Sequence, residues 1–338
     1  MSELKILYLK QEDVIKAGLF DTEKALNDVE HILKLYAEKK VCMPPKTLLD
    51  FYDGDEYRGH FVAMPVYADG EIDLAGIKWA AGYPHNPSRY DLPLGIDIII
   101  LSNPYNGVPL SIMDGTLITA VRTAALAGLA VKYLKPSDVQ NLGIVGAGVI
   151  GKTLLRMLPI VVRNSRILLY DIDHDKAVES SLQSPFSSRI DVVEDFETIV
   201  ESSDVIVTAT SAEKPYFKEY HMKKAKLYIQ LGVVEFSEDA VLKADRIVVD
   251  NWEQIKSYER GVLGRLYRKH RINNTDITEI TEIVAGKKKG RCSDDEIIFF
   301  DSFGMACEDI AIAQRIYRTA LSEKIGTWLN LWDKPLWK

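Results

Sequence analysis

The length, composition and charge of the chain favour a globular protein and exclude some classes of partner. Its 338 residues, 47% of them hydrophobic, are enough for two domains that each bury a core. The formal net charge of −7 argues against a nucleic-acid partner, because such partners bind to a surplus of Lys and Arg on one surface.

The same sequence argues against membrane insertion, secretion and metal binding. No segment reaches the ~18 uncharged apolar residues of a membrane span, and the first residues lack a signal-peptide pattern. Cys42, Cys292 and Cys307 lie far apart without ligand spacing, so we expect neither a disulfide framework nor a metal site. A cytoplasmic location is therefore expected.

The first part of the chain predicts a mixed α+β domain. Asp21 is a candidate N-cap for an amphipathic helix that ends near residue 40. Short β-like runs separated by turn clusters fill residues 41–118. An Ala- and Leu-rich helix begins at Thr119 and leads out of this domain, and Pro136 closes it.

A strict alternation of strands and helices follows that helix. The strand candidates read QNLGIVG, SRILLYDID, DVIVTATS, KLYIQLG, DRIVVDN and EIIFFDS. This βαβα order predicts an α/β fold with a doubly wound, parallel Rossmann sheet covered by helices on both faces.

A glycine-rich turn lies directly between the first of these strands and a helical stretch. It consists of Gly146, Ala147, Gly148, Val149, Ile150 and Gly151. In a G-x-G-x-x-G motif the first glycine permits the turn, the second admits a pyrophosphate and the third allows close packing of helix on strand. The motif in this context predicts a dinucleotide-binding site.

Two residues at later strand ends suggest how the dinucleotide is bound. Asp171 follows the next strand, where a carboxylate accepts hydrogen bonds from ribose hydroxyls and repels a 2′-phosphate. We therefore expect NAD, with NADP as the alternative because His174 and Lys176 are close by. Thr210 ends the third strand and either contacts the ribose or nicotinamide or is an ordinary strand end.

Three cations in the first domain are candidates for binding an anionic substrate. They are Lys46 in MPPKT, Lys78 in GIKWAA and Arg122 in the long helix. Arg binds a carboxylate through two parallel hydrogen bonds, whereas Lys offers a point charge. Taken singly, each residue is equally well explained as a solvated surface cation.

Six segments resemble the ornithine cyclodeaminase/μ-crystallin family over nearly the whole chain. In order they are MPPKT, GIKW, HNPSRYDLPLG, MDGTLITAVRTAA, IVGAGVIG and GMACEDIA. The stretches KADRIVVDNW, DDEII and EKIGTWLNLW are similar to one branch of that family in particular. That branch oxidatively cleaves N-(2-amino-2-carboxyethyl)-L-glutamate to 2,3-diaminopropionate and 2-oxoglutarate, for siderophore or antibiotic biosynthesis.

The resemblance also implies an organisation for the molecule. It implies a substrate-binding and dimerisation domain of residues 1–119 and 315–338, completed by the C-terminal helix, and a Rossmann domain of residues 120–314. It further implies a homodimer with an active site in the cleft between the domains. The Trp-rich tail GTWLNLWDKPLWK is expected to pack on the first domain or on a second subunit.

Residue by residue, the resemblance places Lys46, Lys78 and Arg122 around substrate carboxylates. Lys46 stands where cyclodeaminases usually carry Arg. Lys78 and Glu235 are the candidates for moving protons, Glu235 lying near the place of the cyclodeaminase catalytic Asp, although a solvated loop carboxylate is the alternative.

Gly304 and Asp309 stand where the family brings its last strand and helix to the nicotinamide. For Asp309 the alternative is a favourable position at the start of a helix, where a carboxylate faces the helix dipole.

The predicted function is therefore NAD-dependent oxidation at the C–N bond of an amino-acid substrate. Three alternatives remain open at this stage. They are ornithine cyclodeaminase, which releases ammonia and proline, an imine or ketimine reductase, and a non-catalytic, crystallin-like binding protein.

Overall fold

The computed structural model describes residues 3–337 and divides the chain into two compact units. The first unit runs to Arg122 and resumes at Ala306, and the second is Thr123–Met305. These borders differ from the expected ones at residues 119 and 314, most of all at the second border. Each unit is described separately below, with elements numbered in chain order.

The first unit is built on one eight-stranded sheet. Its strands are β1 (Leu4–Leu9), β2 (Val41–Cys42), β3 (Thr47–Asp53), β4 (Glu56–Ala68), β5 (Leu74–Gly82), β6 (Gly95–Ser102), β7 (Pro109–Asp114) and β16 (Thr327–Trp332). Its helices are α1 (Gln11–Lys16), α2 (Thr22–Ala37), α3 (Asn86–Tyr90), the start of α4 (Thr116–Leu134) and α12 (Ala306–Glu323). The strand order is β16-β1-β7-β6-β5-β4-β2, and β3 pairs with β4.

Helices α2 and α12 pack against each other in this unit, and α12 also lies on β4, β5 and β6. Asp21 is the N-cap of α2 and accepts a hydrogen bond from the Lys24 amide at 3.2 Å, as the sequence predicted. On β5, a Cβ at Gly76 would lie 2.6 Å from Ile310 Cδ1, so the glycine lets α12 approach the sheet closely. Because α12 buries its apolar face here, it belongs whole to the first unit, and this moves the second border to residue 306.

The C-terminal tail adds an edge strand to the same sheet. Strand β16 pairs antiparallel with β1, with Trp328 opposite Leu7 and Trp332 opposite Leu4. The tail therefore packs on the first unit, which was one of the two expected positions.

The second unit is a parallel sheet of eight strands with helices between them. Its strands are β8 (Asn141–Val145), β9 (Arg166–Tyr170), β10 (Ile190–Val192), β11 (Val205–Thr208), β12 (Leu227–Gln230), β13 (Arg246–Val249), β14 (Ile277–Glu279) and β15 (Ile298–Asp301). Its helices after α4 are α5 (Val149–Val161), α6 (His174–Leu182), α7 (Phe196–Ser202), α8 (Glu238–Val241), α9 (Trp252–Ser257), α10 (Val262–Arg268) and α11 (Ile280–Val284).

The order β10-β9-β8-β11-β12-β15-β13-β14 confirms the predicted doubly wound fold. Every neighbouring pair of these strands is parallel. The strand order reverses between β8 and β11, which is where a doubly wound sheet binds its ligand. The carboxyl ends of β8, β11, β12, β13 and β15 consequently share one edge, and the residues that follow them form the candidate nucleotide site.

One helix among the described residues, α4, is long and apolar enough to cross a membrane. Of its apolar window, 78% is buried inside the protein, and it carries Arg122. The helix is thus part of the protein core.

Candidate functional site

The glycine-rich turn after β8 has the geometry that a dinucleotide needs. Gly146 adopts φ +108°, and a Cβ there would overlap the Ala209 carbonyl at the end of β11. A Cβ on Gly151 would overlap the Gly146 carbonyl, so this glycine allows α5 to begin directly against the turn. Gly148 is different, because no protein atom lies within 4 Å of the place of its Cβ. This open space in front of the first turn of α5 fits a pyrophosphate.

Asp171 is tied to the same turn. Its Oδ2 accepts a hydrogen bond from the Ala147 amide at 2.6 Å, and its Oδ1 accepts one from the Asp173 amide at 3.0 Å. Main-chain donors therefore fix the carboxylate at the end of β9. Each oxygen retains acceptor capacity for a ribose hydroxyl.

Glu235 is fully buried and binds the loops after β11 and β12 together. Its Oε1 accepts from the Thr210 hydroxyl at 2.6 Å and the Thr210 amide at 2.7 Å. Its Oε2 accepts from the Thr208 hydroxyl at 2.6 Å and the Gly232 amide at 2.9 Å. Burial raises the pKa of Glu235, against these hydrogen bonds, which favour the charged form.

This geometry corrects the sequence interpretation of Glu235. The alternative of a solvated loop carboxylate is wrong, because the side chain is 0% exposed. The assignment as an acid or base is also unsupported, because protein donors already occupy the lone-pair directions of both oxygens. Glu235 instead positions Thr210, which the sequence placed at the ribose or nicotinamide.

Two further buried carboxylates lie on this edge of the sheet. Asp301, at the end of β15, accepts a hydrogen bond from Gln230 Nε2 at 2.9 Å, and burial raises its pKa to about 7. Asp250 Oδ2 accepts from the Ser302 hydroxyl at 3.0 Å and from the Gly304 amide at 2.5 Å. Gly304, which has φ +78°, is therefore positioned by Asp250.

In the first unit, Lys78 and Arg122 meet at a buried cluster of charges. Lys78 lies on β5, is 2% exposed and donates to Asp309 Oδ1 at 3.0 Å. Arg122 lies on α4 and donates through Nε to Asp309 Oδ1 at 3.2 Å and through a terminal nitrogen to Glu308 Oε2 at 3.2 Å. Two of the three predicted substrate cations are thus brought together by carboxylates at the start of α12.

Asp309 has different partners from those that we expected. The sequence interpretation placed it at the nicotinamide or as a residue facing the helix dipole. In the structure it is fully buried and bridges Lys78 and Arg122 within the first unit, because α12 packs on the sheet that carries Lys78. Asp309 lies in the first turn of α12, which agrees with the helix-dipole alternative, and it also binds the two cations. Its contact with the nicotinamide stays a prediction.

Lys46 immediately precedes β3 and is partly buried. The pairing of β3 with β4 places Lys46 close to β4, since its neighbour Thr47 lies opposite Ala63 on that strand. Its contribution to substrate binding stays a prediction.

Several buried polar residues, and one that is partly buried, had no role in the sequence analysis. The buried ones are Asp97, Gln230, Asp250, Asp301 and Glu308, and the partly buried one is Thr119. A signal was present for the acids, because Asp97 interrupts the apolar run GIDIIILS and the other two aspartates end apolar strands. Among residues 3–337, no group of three or more His, Cys, Asp or Glu is arranged to hold a metal ion.

Comparisons with known proteins identify the family of this chain. The family model described as ornithine cyclodeaminase/mu-crystallin matches residues 7–324. The chain is 30% identical to N-((2S)-2-amino-2-carboxyethyl)-L-glutamate dehydrogenase of Staphylococcus aureus, over 97% of this chain and 99% of that protein.

Two solved structures are similar over nearly their whole length. One is the Thermococcus litoralis Delta(1)-pyrroline-2-carboxylate reductase in complex with NADH and L-proline, with 31% identity, a TM-score of 0.87 and coverage of 95% of this chain and 99% of that one. The other is an archaeal alanine dehydrogenase dimer with bound NAD, with 32% identity, a TM-score of 0.86 and coverage of 97% and 100%.

Fold, glycine-rich turn and relatives together define an NAD-dependent oxidoreductase that acts on amino acids. The chain belongs to the ornithine cyclodeaminase/mu-crystallin family. The resemblance, the fold class and the cofactor inferred from the sequence are thereby confirmed, and the non-catalytic alternative is set aside.

The second and third glycines of the turn should respond differently to substitution. Gly148→Ala should fold as stably as the wild type and bind NAD at least about tenfold more weakly, because the new methyl enters the space for the pyrophosphate. Gly151→Ala should lose about 1–3 kcal/mol of stability, because its Cβ overlaps the Gly146 carbonyl. Calorimetric NAD titration and thermal unfolding measure both effects. Wild-type NAD affinity in Gly148→Ala would contradict the assignment.

Asp301 should make the stability of the protein depend on pH. Its pKa is raised from 3.8 to about 7, so the folded state holds a proton that the unfolded chain releases. The resulting stabilisation is present below pH 4 and is lost as the pH rises through 7, a change of up to about 4 kcal/mol. Urea unfolding of the wild type and Asp301→Asn between pH 4.5 and 8 should show this difference.

Asp55→Asn, at an exposed turn, is the matched control and should run parallel to the wild type. A constant difference between the wild type and Asp301→Asn across the pH range would show that Asp301 does not hold this proton.

Proposed function

We propose that the enzyme oxidises the secondary amine of N-(2-amino-2-carboxyethyl)-L-glutamate and releases 2,3-diaminopropionate and 2-oxoglutarate. The observation that carries this proposal is the end-to-end similarity to the staphylococcal dehydrogenase. The segments that resemble its branch include β13 with the start of α9, and the tail that forms β16.

The first unit supplies the groups that this substrate requires. Its carboxylates need cations, and Lys78 and Arg122 lie together in a buried setting where a charge-assisted hydrogen bond is strong. Within the described residues Lys78 donates to Asp309 and Thr119, which leaves one of its three N–H bonds for a substrate atom. Lys46 is the proposed third cation, on the segment before β3.

The second unit supplies the cofactor site, in which the open space at Gly148 and the acceptor Asp171 fit NAD. The glycine-rich turn and Asp171 would hold NAD, which when bound would supply the hydride acceptor for the carbon beside the secondary amine. The resulting imine adds water, and Lys78 exchanges the protons that imine formation and C–N cleavage require. Lys46 and Arg122 hold the carboxylates so that the reacting carbon stays oriented.

A second candidate is the reduction of a cyclic imine. It is favoured by the similarity to the pyrroline-2-carboxylate reductase, which was crystallised with NADH and L-proline. This reaction uses the same hydride transfer in the opposite direction and needs cations for a single carboxylate.

A direct assay separates the candidates. Purified enzyme with NAD and N-(2-amino-2-carboxyethyl)-L-glutamate should form NADH and 2-oxoglutarate in equal amounts. Three parallel assays test the alternatives. They supply L-alanine with NAD, 1-pyrroline-2-carboxylate with NADH, and ornithine with NAD; the ornithine assay detects ammonia and proline. Turnover confined to one of those assays would refute the proposed substrate.

Lys46→Gln provides the matched variant for this assay. It should raise KM for the proposed substrate by about tenfold or more and change kcat little, because it removes a cation that binds ground and transition state alike. NAD affinity should stay as in the wild type. If the variant lost only kcat and kept its KM, the assignment of Lys46 to carboxylate binding would be wrong.

We further propose that the enzyme is a cytoplasmic homodimer. The face of the first sheet opposite α12 is apolar, with Leu49, Trp79 and Ile98 exposed by 52%, 42% and 45%. Trp79 stacks on Phe61 with ring centroids 5.0 Å apart, and Ile98 pairs with Trp79 across β5 and β6. A contiguous apolar face is typical of a subunit interface, and the similar alanine dehydrogenase is a dimer. Free Cys42, Cys292 and Cys307 suit a reducing compartment.

Ile98→Asp should convert the dimer to a monomer, because it places a charge in the centre of the apolar face. Light scattering coupled to size-exclusion chromatography measures the mass directly. Leu182→Asp, at an exposed leucine of α6, is the control and should leave the mass unchanged. A monomeric wild type, or a dimer that tolerates Ile98→Asp, would contradict this interface.

A further inference from the structure

The Lys78 amine is connected to a second carboxylate through a hydroxyl group. Lys78 Nζ donates to Thr119 Oγ1 at 3.2 Å, and Thr119 Oγ1 donates to Asp97 Oδ2 at 2.6 Å. The three residues come from β5, α4 and β6, all in the first unit. A hydroxyl that accepts from one group and donates to the next can pass a proton along the chain.

The surroundings of Lys78 distinguish its two carboxylate neighbours. Asp309, on α12, is fully buried and forms ion pairs with both Lys78 and Arg122. Asp97, on β6, is 7% exposed, and among the described residues no cation lies within ion-pair distance of it. Glu308 also belongs to this cluster and pairs with Arg122.

The Thr119 hydroxyl has one proton to donate. Asp309 Oδ1 lies 3.5 Å from Thr119 Oγ1, whereas Asp97 Oδ2 lies at 2.6 Å, so the short bond directs the proton to Asp97. Asp97 is therefore the carboxylate placed to accept the Thr119 proton.

We propose that Thr119 and Asp97 are positioning residues that carry a proton to and from Lys78 during turnover. Lys78 passes an N–H proton to Thr119 Oγ1 while Thr119 passes its hydroxyl proton to Asp97. The Lys78 nitrogen then accepts the proton of the substrate amine. Lys78 is again an ammonium, Asp97 is a carboxylic acid, and no electrons have moved.

The same path returns the proton in the second half of the reaction. Loss of hydride from the neutral amine, for which NAD would be the acceptor, leaves an iminium cation, which adds water and releases one proton of that water to solvent. Reversal of the transfers then protonates the amine nitrogen of the neutral adduct. The C–N bond breaks with its electrons going to nitrogen, and the hydroxyl proton passes to the departing amine as the ketone forms. The proton removed before oxidation is thus the one delivered to the departing amine.

This inference rests on the proposed function only in that Lys78 exchanges a proton with a substrate nitrogen. It is tested with whichever amino acid the wild type turns over. Failure of N-(2-amino-2-carboxyethyl)-L-glutamate as a substrate would therefore refute the proposed function, while the relay is still measured with alanine or with the pyrroline.

Removal of the hydroxyl is the first test. Thr119→Val keeps the shape of the side chain and should lower kcat about 100-fold, the scale of general acid–base catalysis. KM should stay within about threefold of the wild type, because substrate binding is unaffected. Thr119→Ser restores the hydroxyl and should recover kcat to within about tenfold of the wild type.

Removal of the final acceptor is the second test. Asp97→Asn can still accept the Thr119 hydrogen bond but cannot take a proton, so it should match Thr119→Val in kcat, and the double variant should be no slower. Both should show a larger solvent deuterium isotope effect on kcat than the wild type, because the slowed proton transfer then limits turnover. Ser111→Ala is the control. It removes a buried hydroxyl that donates to the Leu7 carbonyl and is not part of the proton relay, so it should leave kcat unchanged.

Three results would overturn the relay. They are a kcat for Thr119→Val or Asp97→Asn within about threefold of the wild type, a Thr119→Ser as slow as Thr119→Val, and losses that multiply in the double variant. The second result would mean that packing at Thr119 matters and its hydroxyl does not.

Discussion

The buried ion pairs of Asp309 with Lys78 and Arg122 are the constraint on which the first unit depends. Removing charges from water is costly, and the cost is recovered only when each charge finds a partner at short distance. Asp309 meets this condition for two cations at once, and Glu308 supports the second of them. The start of α12 must therefore stay fixed against β5 and α4, so a distant part of the sequence determines where the Lys78 amine lies.

In the second unit, buried carboxylates are stabilised by main-chain N–H donors in place of cations. At the carboxyl edge of its sheet, Asp171, Glu235 and Asp250 each accept hydrogen bonds from amides of a neighbouring loop. Amides bound to carboxylates hold the loops in one conformation without adding positive charge. We expect the amides at the N-terminus of α5 to attract the pyrophosphate of a dinucleotide bound at the glycine-rich turn.

The sequence predicted what local patterns encode. The glycine-rich turn, the strand ends that carry Asp171 and Thr210, and the parallel order of the sheet all follow from neighbouring residues. Pairings between distant residues were not predictable in this way, since Lys78 and Asp309 are separated by 231 positions. The burial of Glu235 was missed for a related reason, because it depends on donors from two loops that only the folded sheet brings together. The short edge strands β10 and β14 gave no clear alternation of apolar residues.

The charge balance of the first unit has a consequence for substrate choice. Lys78 and Arg122 are outnumbered by Asp97, Glu308 and Asp309, so the cluster by itself does not attract a multiply charged anion. A substrate with several carboxylates therefore needs a cation outside the cluster, and Lys46 is the residue that the family places there. For a substrate with one carboxylate, we expect hydrogen bonds to Lys78 and Arg122 to suffice. Whether Lys46 contributes to binding is therefore expected to separate a polycarboxylate substrate from a simple amino acid such as alanine.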